Sequence, residues 1–240
     1  MIDLHNHIIP GIDDGCADID EALMLARIFI DRGINAICAT PHIRPGMFDN
    51  SEEHIRSAGD AFAAELERSG IGLGFAFAAE YYFHERLLDA LENPDQLLTL
   101  DTAGRYILVE FNYQRAPVHL KEFVFMLSLT GKRMVMAHPE RYDWIAEDFD
   151  LAADLISMGV VMQGTLSSLA GEMGSRAART IKAMLKNDLI QLVSSDCHKP
   201  GTALIMLERS FEMLRKEVSQ AAADRLLNEN PAIIKEGRSI

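Results

Sequence analysis

The chain has 240 residues, 48% of them hydrophobic, and a formal net charge of −13. That is enough apolar material for a buried core, and an acidic surface that disfavours nucleic acid and anionic membranes as partners. Three cysteines, Cys16, Cys38 and Cys197, do not make a disulfide framework; no apolar run reaches the roughly 18 residues of a membrane span and no secretory leader is legible, so a cytoplasmic protein without membrane insertion is expected.

The first strand lies in MIDLHNH. A helix is expected over 19–31, with Asp18 as its N-cap, Asp20 and Glu21 in its first turn and Gly33 beyond its end. Ala22, Leu25, Ala26 and Phe29 form its apolar face. INAICAT (34–40) reads as a buried strand. Asn50 and Glu53 read as a capping box for a helix over 51–68 that stops at Gly70. LGFAFAAE (73–80) is strand-like, 84–91 helical, YILVEF (106–111) strand-like, and 118–130 helical up to Gly131. RMVMAH (133–138) is a strand before a helix over 147–158, VVMQGT (160–165) a strand before a helix near 175–187, and IQLVSSD (190–196) the seventh strand. Helices over 203–216 and 218–228 follow. No Pro/Ser-rich linker interrupts this order, so 1–240 reads as a single domain.

Strands that alternate with helices pair in parallel, because each crossover returns the chain to the same edge. Seven such units predict an α/β fold closed, or nearly closed, into a barrel. A doubly wound open sheet is the alternative. The absence of a Gly-rich turn after the first strand disfavours a dinucleotide fold.

In a parallel barrel the chemistry gathers at the C-terminal strand ends. Those ends carry His5 and His7, with Asp13 and Asp14 in the loop behind them, then His42, Glu80, Glu110, His138, Gln163, Asp196 and His198. They recur about once per βα unit and should converge at the barrel mouth. Within HNH and DCH, side chains at i and i+2 share a face about 6.6 Å apart on a strand. Cys197 should point away from them as a buried thiol. Each residue alone has an ordinary explanation as a cap or an ion pair. Together, five histidines and four carboxylates, counting one of Asp13 and Asp14, without a thiolate fit Zn, Mn or Fe, and nine ligands are too many for one ion and suit two or three. A Glu inside ILVEF interrupts a run that should be buried, and a buried carboxylate needs a partner.

The HxH of the first strand, TPH at 40–42, Glu80, AHPERY at 137–142 and SSDCH at 194–198 resemble the PHP (polymerase and histidinol phosphatase) superfamily. MIDLHNHIIPGIDDG, GMF at 46–48, AEYY at 79–82 and HPERY are similar to its manganese-dependent protein-tyrosine phosphatases of bacterial capsule and exopolysaccharide loci. The resemblance implies a distorted (β/α)7, TIM-like barrel with a trinuclear site. Position by position, a first ion takes His5, His7, Glu80 and Asp196. Glu80 bridges to a second, held also by Glu110 and His138. A third takes His42, His198 and Asp14, with Asp13 as the alternative. Manganese is the first expectation for the metal, with iron or zinc next. The ions outweigh the four carboxylates, so an acidic protein gains a local anion trap in which metal-bound hydroxide attacks phosphorus. Arg141 is the candidate to clamp the phosphate, and Arg44 a second.

The family usually carries an Arg a few residues after the last His. Here the stretch is HKPGTALIML, and Lys199 is the candidate replacement, although a point-charge Lys is not equivalent to a bidentate Arg. CATPHIR (38–44) has the Cys-x5-Arg spacing of cysteine phosphatases, but Pro41 removes an N–H and no glycine relaxes the loop. The substrate readings are a phosphotyrosine protein, such as the tail of a polysaccharide-assembly kinase, or a small phosphate monoester such as histidinol phosphate. A phosphodiesterase or nuclease is disfavoured by the charge, and a non-catalytic binding barrel is the bland alternative. Family members can form homo-oligomers; no segment here marks an interface.

Overall fold

Most apolar runs of the sequence become strands buried on both faces, as parallel strands flanked by helices are, although GFAF (74–77) stays partly exposed. The computed structural model describes residues 1–240 apart from the side chain of Arg86. In chain order the strands are β1 (Ile2–Asp3), β2 (Ala36–Ala39), β3 (His42–Ile43), β4 (Gly74–Phe77), β5 (Glu80–Tyr82), β6 (Tyr106–Glu110), β7 (Arg133–Ala137), β8 (Val161–Thr165) and β9 (Leu192–Ser194). Every ladder between them is parallel. The order is β1-β2-β4 in one sheet and β3-β5-β6-β7-β8-β9 in the other.

The second and third expected strands are each broken. β2 gives way to β3 at Thr40–Pro41, and β4 to β5 at Ala78–Ala79. Pro41 has no N–H to give a ladder, which alternation of apolar residues did not register. Hydrogen bonds nevertheless continue across both breaks: the Thr40 amide to the Asn6 carbonyl at 2.8 Å, Ala78 to Ala39 at 2.7 Å, and Glu80 to Pro41 at 3.1 Å. On the other side, the Asp196 amide donates to the His5 carbonyl and the His7 amide to the Cys197 carbonyl, both at 2.9 Å, around a parallel bridge between Asn6 and Cys197. Each of the seven strand segments is therefore tied to the next, and the last to the first. This is the connectivity expected of a (β/α)7 barrel.

The helices sit close to their expected ranges. Ile19–Asp31 begins at Asp18, whose side chain accepts from the Glu21 amide, and it buries the four predicted apolar residues. The helix Glu52–Arg68 is capped by Ser51 rather than by the expected pair Asn50 and Glu53. Asn50 is used elsewhere: its Nδ2 donates to the carbonyls of Ile12 and His42, at 2.9 Å each. It ties two functional loops together, a tertiary use that local capping rules do not anticipate. The stretch 84–91 holds only a short helix, Glu85–Asp89, before a 3-10 turn. The last expected helix, 218–228, is Gln220–Asp224, followed by a wide turn at 225–229 and a further helix, Asn230–Lys235. Pro231 follows the π-helical turn Arg225–Glu229, whose widened hydrogen-bonding pattern accommodates its missing N–H. Among the described residues, no helix is long and apolar enough to cross a membrane.

Candidate metal centre

The strand ends deliver their side chains to one place. His42 opens β3, Glu80 opens β5, Glu110 ends β6, and His138 and Asp196 follow β7 and β9. His138 and Asp196 take left-handed backbone conformations, with φ of 35° and 54°. Non-glycine residues in that region carry strain that persists where the surroundings require it. In DCH the convergence of Asp196 and His198 thus comes from a left-handed turn, not from plain strand alternation. A cavity of about 420 Å³ opens at this end, lined by Asp14, His42, Glu80, Glu110, His138, Asp196 and His198 among others.

His5 and His7, both fully buried, form a compact set with Glu80 and Asp196. His5 Nε2 lies 3.2 Å from Glu80 Oε2 and 3.3 Å from Asp196 Oδ1. His7 Nε2 lies 3.4 Å from both oxygens, and the two Nε2 atoms are 3.3 Å apart. Five of the six edges are therefore nearly equal, as in a tetrahedron. The centre of such a tetrahedron is about 2.0 Å from each corner, the length of a His or carboxylate bond to zinc. The donor set fits a divalent cation.

Two further groups adjoin the first. His42 Nδ1 is 3.1 Å from Glu80 Oε2 and 3.5 Å from Glu110 Oε1. His42 Nε2 and His198 Nε2 lie 3.6 and 3.4 Å from Asp14 Oδ1, with His7 close enough to join them. His42 therefore faces two groups, where the resemblance gave it only one. His138 Nε2 reaches Glu80 Oε1 at 3.0 Å but lies outside the three clusters of converging ligand atoms. Apart from these histidine contacts, Glu80 Oε2 and Glu110 Oε1 are buried with no well-oriented hydrogen-bond donor among the described residues. Buried carboxylate oxygens are costly unless a cation or donor meets them.

Behind the ligand atoms stands a layer of orienting contacts. His5 Nδ1 meets Gln163 Oε1 at 2.8 Å, His7 Nδ1 meets Asp13 Oδ2 at 2.8 Å, and His198 Nδ1 meets the Asp196 carbonyl at 3.0 Å. Each contact holds the N–H on Nδ1 and turns Nε2 inward. Asp13 also accepts from the amides of Gly15 and His42, so its oxygens are engaged while Asp14 faces the cluster. Gly15 is required here because a Cβ would overlap the His7 carbonyl. Asp3, buried beneath the site, accepts from the Ser195 amide and hydroxyl and from Asn6 Nδ2, and so fixes the turn that carries Asp196. Asp3 was not legible as functional. A carboxylate in the first apolar strand, two residues before HNH, was the available signal.

The charges show what the site demands. Burial opposes a charged His5, yet the carboxylates of Glu80 and Asp196 outweigh it and raise its pKa to about 9. His7 is likewise raised, against its burial, chiefly by Asp13. Burial pushes His42 and His138 down to about 4, and burial together with Glu80 pushes Glu110 up to about 8. Asp14 is lowered to about 2, first by its hydrogen bond with His198. Without other cations, the carboxylates recruit protons onto the histidines. Divalent ions would replace those protons.

Arg141, in the turn Pro139–Arg141 after β7, puts a guanidinium N–H 3.2 Å from Asp196 Oδ2 and lies over the Tyr113 ring. Arg44 lies 3.6 Å from Glu110 Oε1 and over the Tyr82 ring. Both line the cavity. Lys199 is exposed and lies outside that lining, where Thr202 and Met206 occupy the helix beyond His198. Cys38 and Cys197 are buried and unpaired by disulfides. Burial raises the Cys38 thiol to about 12, so it carries no thiolate at neutral pH.

The sequence family described as "Capsular polysaccharide synthesis, CpsB/CapC" matches residues 1–236. The tyrosine-protein phosphatase YwqE of Bacillus subtilis is 31% identical over 240 residues, covering 100% of this chain and 93% of that protein. The tyrosine-protein phosphatase CpsB of Streptococcus pneumoniae is 28% identical over 238 residues, with 96% of each covered. A crystal structure from work on those two proteins, described as metal-dependent tyrosine phosphatases, superposes with a TM-score of 0.90 at 30% identity, over 100% of this chain and 96% of that one. With the match running from the first strand to the last helix, the chain belongs to the CpsB/CapC family of capsular polysaccharide synthesis.

Proposed function

We propose that this chain is a metal-dependent phosphatase that removes phosphate from tyrosine in a protein, with the tail of a polysaccharide-assembly kinase as the substrate that fits its family. The near-tetrahedral set of His5, His7, Glu80 and Asp196 carries the reading. These four would hold a first ion. Glu80 and Glu110 would share a second with His138 or His42, and Asp14, His42 and His198 a third. Two or three divalent ions, manganese first and iron or zinc next, would lower the pKa of bound water and neutralise phosphate charge.

The chain's own groups do the rest. Arg141 is placed to hold phosphate oxygens, and its contact with Asp196 keeps the guanidinium aimed into the cavity. Tyr113 supports it from beneath. Arg44, which lines the same cavity, supplies a second cation. Phe48, stacked on His42 with ring centroids 5.2 Å apart, offers an apolar edge to a phenol. A phenol leaves more readily than an alkanol, so phosphotyrosine asks less of a general acid than a metabolite ester does.

The test is a substrate panel with metal analysis. Phosphotyrosine peptide should be hydrolysed faster than histidinol phosphate. A chelator should abolish turnover, manganese should restore it, and iodoacetamide should leave it intact. Preference for histidinol phosphate would favour the metabolite reading, and loss of activity on alkylation would overturn the metal one.

A further inference from the structure

A second recess, of about 340 Å³, adjoins the metal cavity, and Phe48 lines both. It is of the size that receives side chains and small ligands. The wall between the two spaces is built, not incidental. Residues Arg44–Phe48 form a tight hairpin in which the Arg44 amide donates to the Phe48 carbonyl at 3.0 Å and the Phe48 amide to the Arg44 carbonyl at 2.8 Å. One face of the Phe48 ring lies flat against His42, with 7° between the planes.

The recess has a definite chemistry. Ile43, Pro45 and Leu87 give it an apolar floor, and Asp49 and Glu52 supply carboxylates. His84 also lines it, beside Tyr81 and Tyr82, and among its described lining residues none is Lys or Arg. Asp49 Oδ1 accepts from the Gly46 amide at 2.8 Å, and Glu52 Oε1 from the Tyr81 hydroxyl at 3.2 Å, so both carboxylates are held in place. Arg56, one turn beyond Glu52 on the same helix, lines a separate cleft with Asp95 and Asp101. A recess lined by both apolar side chains and carboxylates suits a long side chain with a cationic tip, whose methylenes pack on the apolar groups and whose head meets the acids. In an extended peptide, side chains two apart share a face at about 6.6 Å, a step that carries the chain past one aromatic ring.

We infer that this recess is a subsite for a Lys or Arg side chain two residues from the phosphotyrosine of the substrate protein. The inference rests on the phosphatase reading above and narrows its substrate to a peptide segment with a cation beside the phosphorylated residue. The metal cavity is thus served by a neighbour of opposite preference: phosphate dianion on one side of Phe48, cation on the other.

The test uses manganese-loaded full-length protein, p-nitrophenyl phosphate, and phosphotyrosine peptides that differ only in the residues two positions to either side: Lys, Leu or Glu. Partly exposed carboxylates are worth up to about fivefold each. The Lys peptide should therefore exceed the Glu peptide by about fivefold to tenfold in kcat/KM, and the gap should shrink at high salt. In the double variant Asp49→Asn, Glu52→Gln, the Lys-to-Glu ratio should fall below about twofold. Calorimetry with the matching phosphonate peptides should give the same ranking without turnover. Hydrolysis of p-nitrophenyl phosphate with all three peptides within twofold would overturn the subsite and leave the phosphatase reading standing. Preference for Leu, or an unchanged ratio in the double variant, would overturn it too. Failure to hydrolyse any of these esters would remove the phosphatase reading first, and the subsite with it.

Discussion

Replacing Gln163 by Leu tests whether the metal centre depends on residues that never touch a metal. Gln163 and His5 are both fully buried, and the amide oxygen accepts the His5 Nδ1 proton at 2.8 Å. The amide orientation is fixed from its other end, where Nε2 donates to the Gly164 carbonyl at 3.3 Å. Gln163→Leu keeps a side chain of similar bulk and removes the acceptor. The stranded Nδ1–H then costs about 1–3 kcal/mol, and the ring is free to turn Nε2 away from Glu80 and Asp196. A loss of that size in holding His5 converts to roughly 10- to 100-fold in metal affinity, the range seen when an orienting partner is removed from a metal-bound histidine. The assay is chelator competition for manganese, with thermal melts at several metal concentrations, since binding to the folded state alone raises stability with ligand concentration. A folded Gln163→Leu protein with native manganese affinity would refute the argument that Gln163 sets the His5 ring.

Other outcomes follow from the same geometry. Arg141→Ala should retain metal and lose about 10²–10³ in kcat, as removal of one transition-state donor does, and Arg141→Lys should not restore it; metal analysis beside steady-state kinetics checks both. Asp14→Asn should lower the metal content of the purified protein by one ion, while Asp13→Asn should keep the content and weaken affinity, because Asp13 orients His7 and accepts from two amides; mass spectrometry of metals separates the two. Apparent metal affinity should fall as pH drops below about 9, since binding must displace the proton that Glu80 and Asp196 hold on His5 against its burial. That raised pKa also stabilises the metal-free fold fully below about 6.5 and loses its effect as pH rises through about 9. Melts of stripped protein should therefore be lower at pH 9 than at 6.5, and saturating manganese should narrow the gap.

Much of this was legible before any coordinates. The residues that end strands carry chemistry at a period set by the βα unit, so listing His5, His7, His42, Glu80, Glu110, His138, Asp196 and His198 required only finding strand ends. What escaped the sequence was tertiary. Asn50 has the local signature of a cap, yet it bridges two loops because both carbonyls come within reach only in the folded barrel. The breaks after Ala39 and Phe77 look like continuous apolar segments, since burial of both faces hides them. Gln163 stood out only as a weak polar residue on the sixth strand, and its partner lies 158 positions away. Lys199 follows the last His in sequence, but the turn at Asp196 and the helix Pro200–Glu217 leave it pointing to solvent. Arg44, from a different loop, lines the cavity where Lys199 does not.

The bridge between Asn6 and Cys197 makes the set of His5, His7, Glu80 and Asp196 a product of the whole fold. His5 and His7 stand about 190 residues before Asp196, so a fold that lacks its last strand presents cations with an incomplete set of donors. Completion of the circle and assembly of that set become a single step, opposed by the entropy of joining segments almost 200 residues apart.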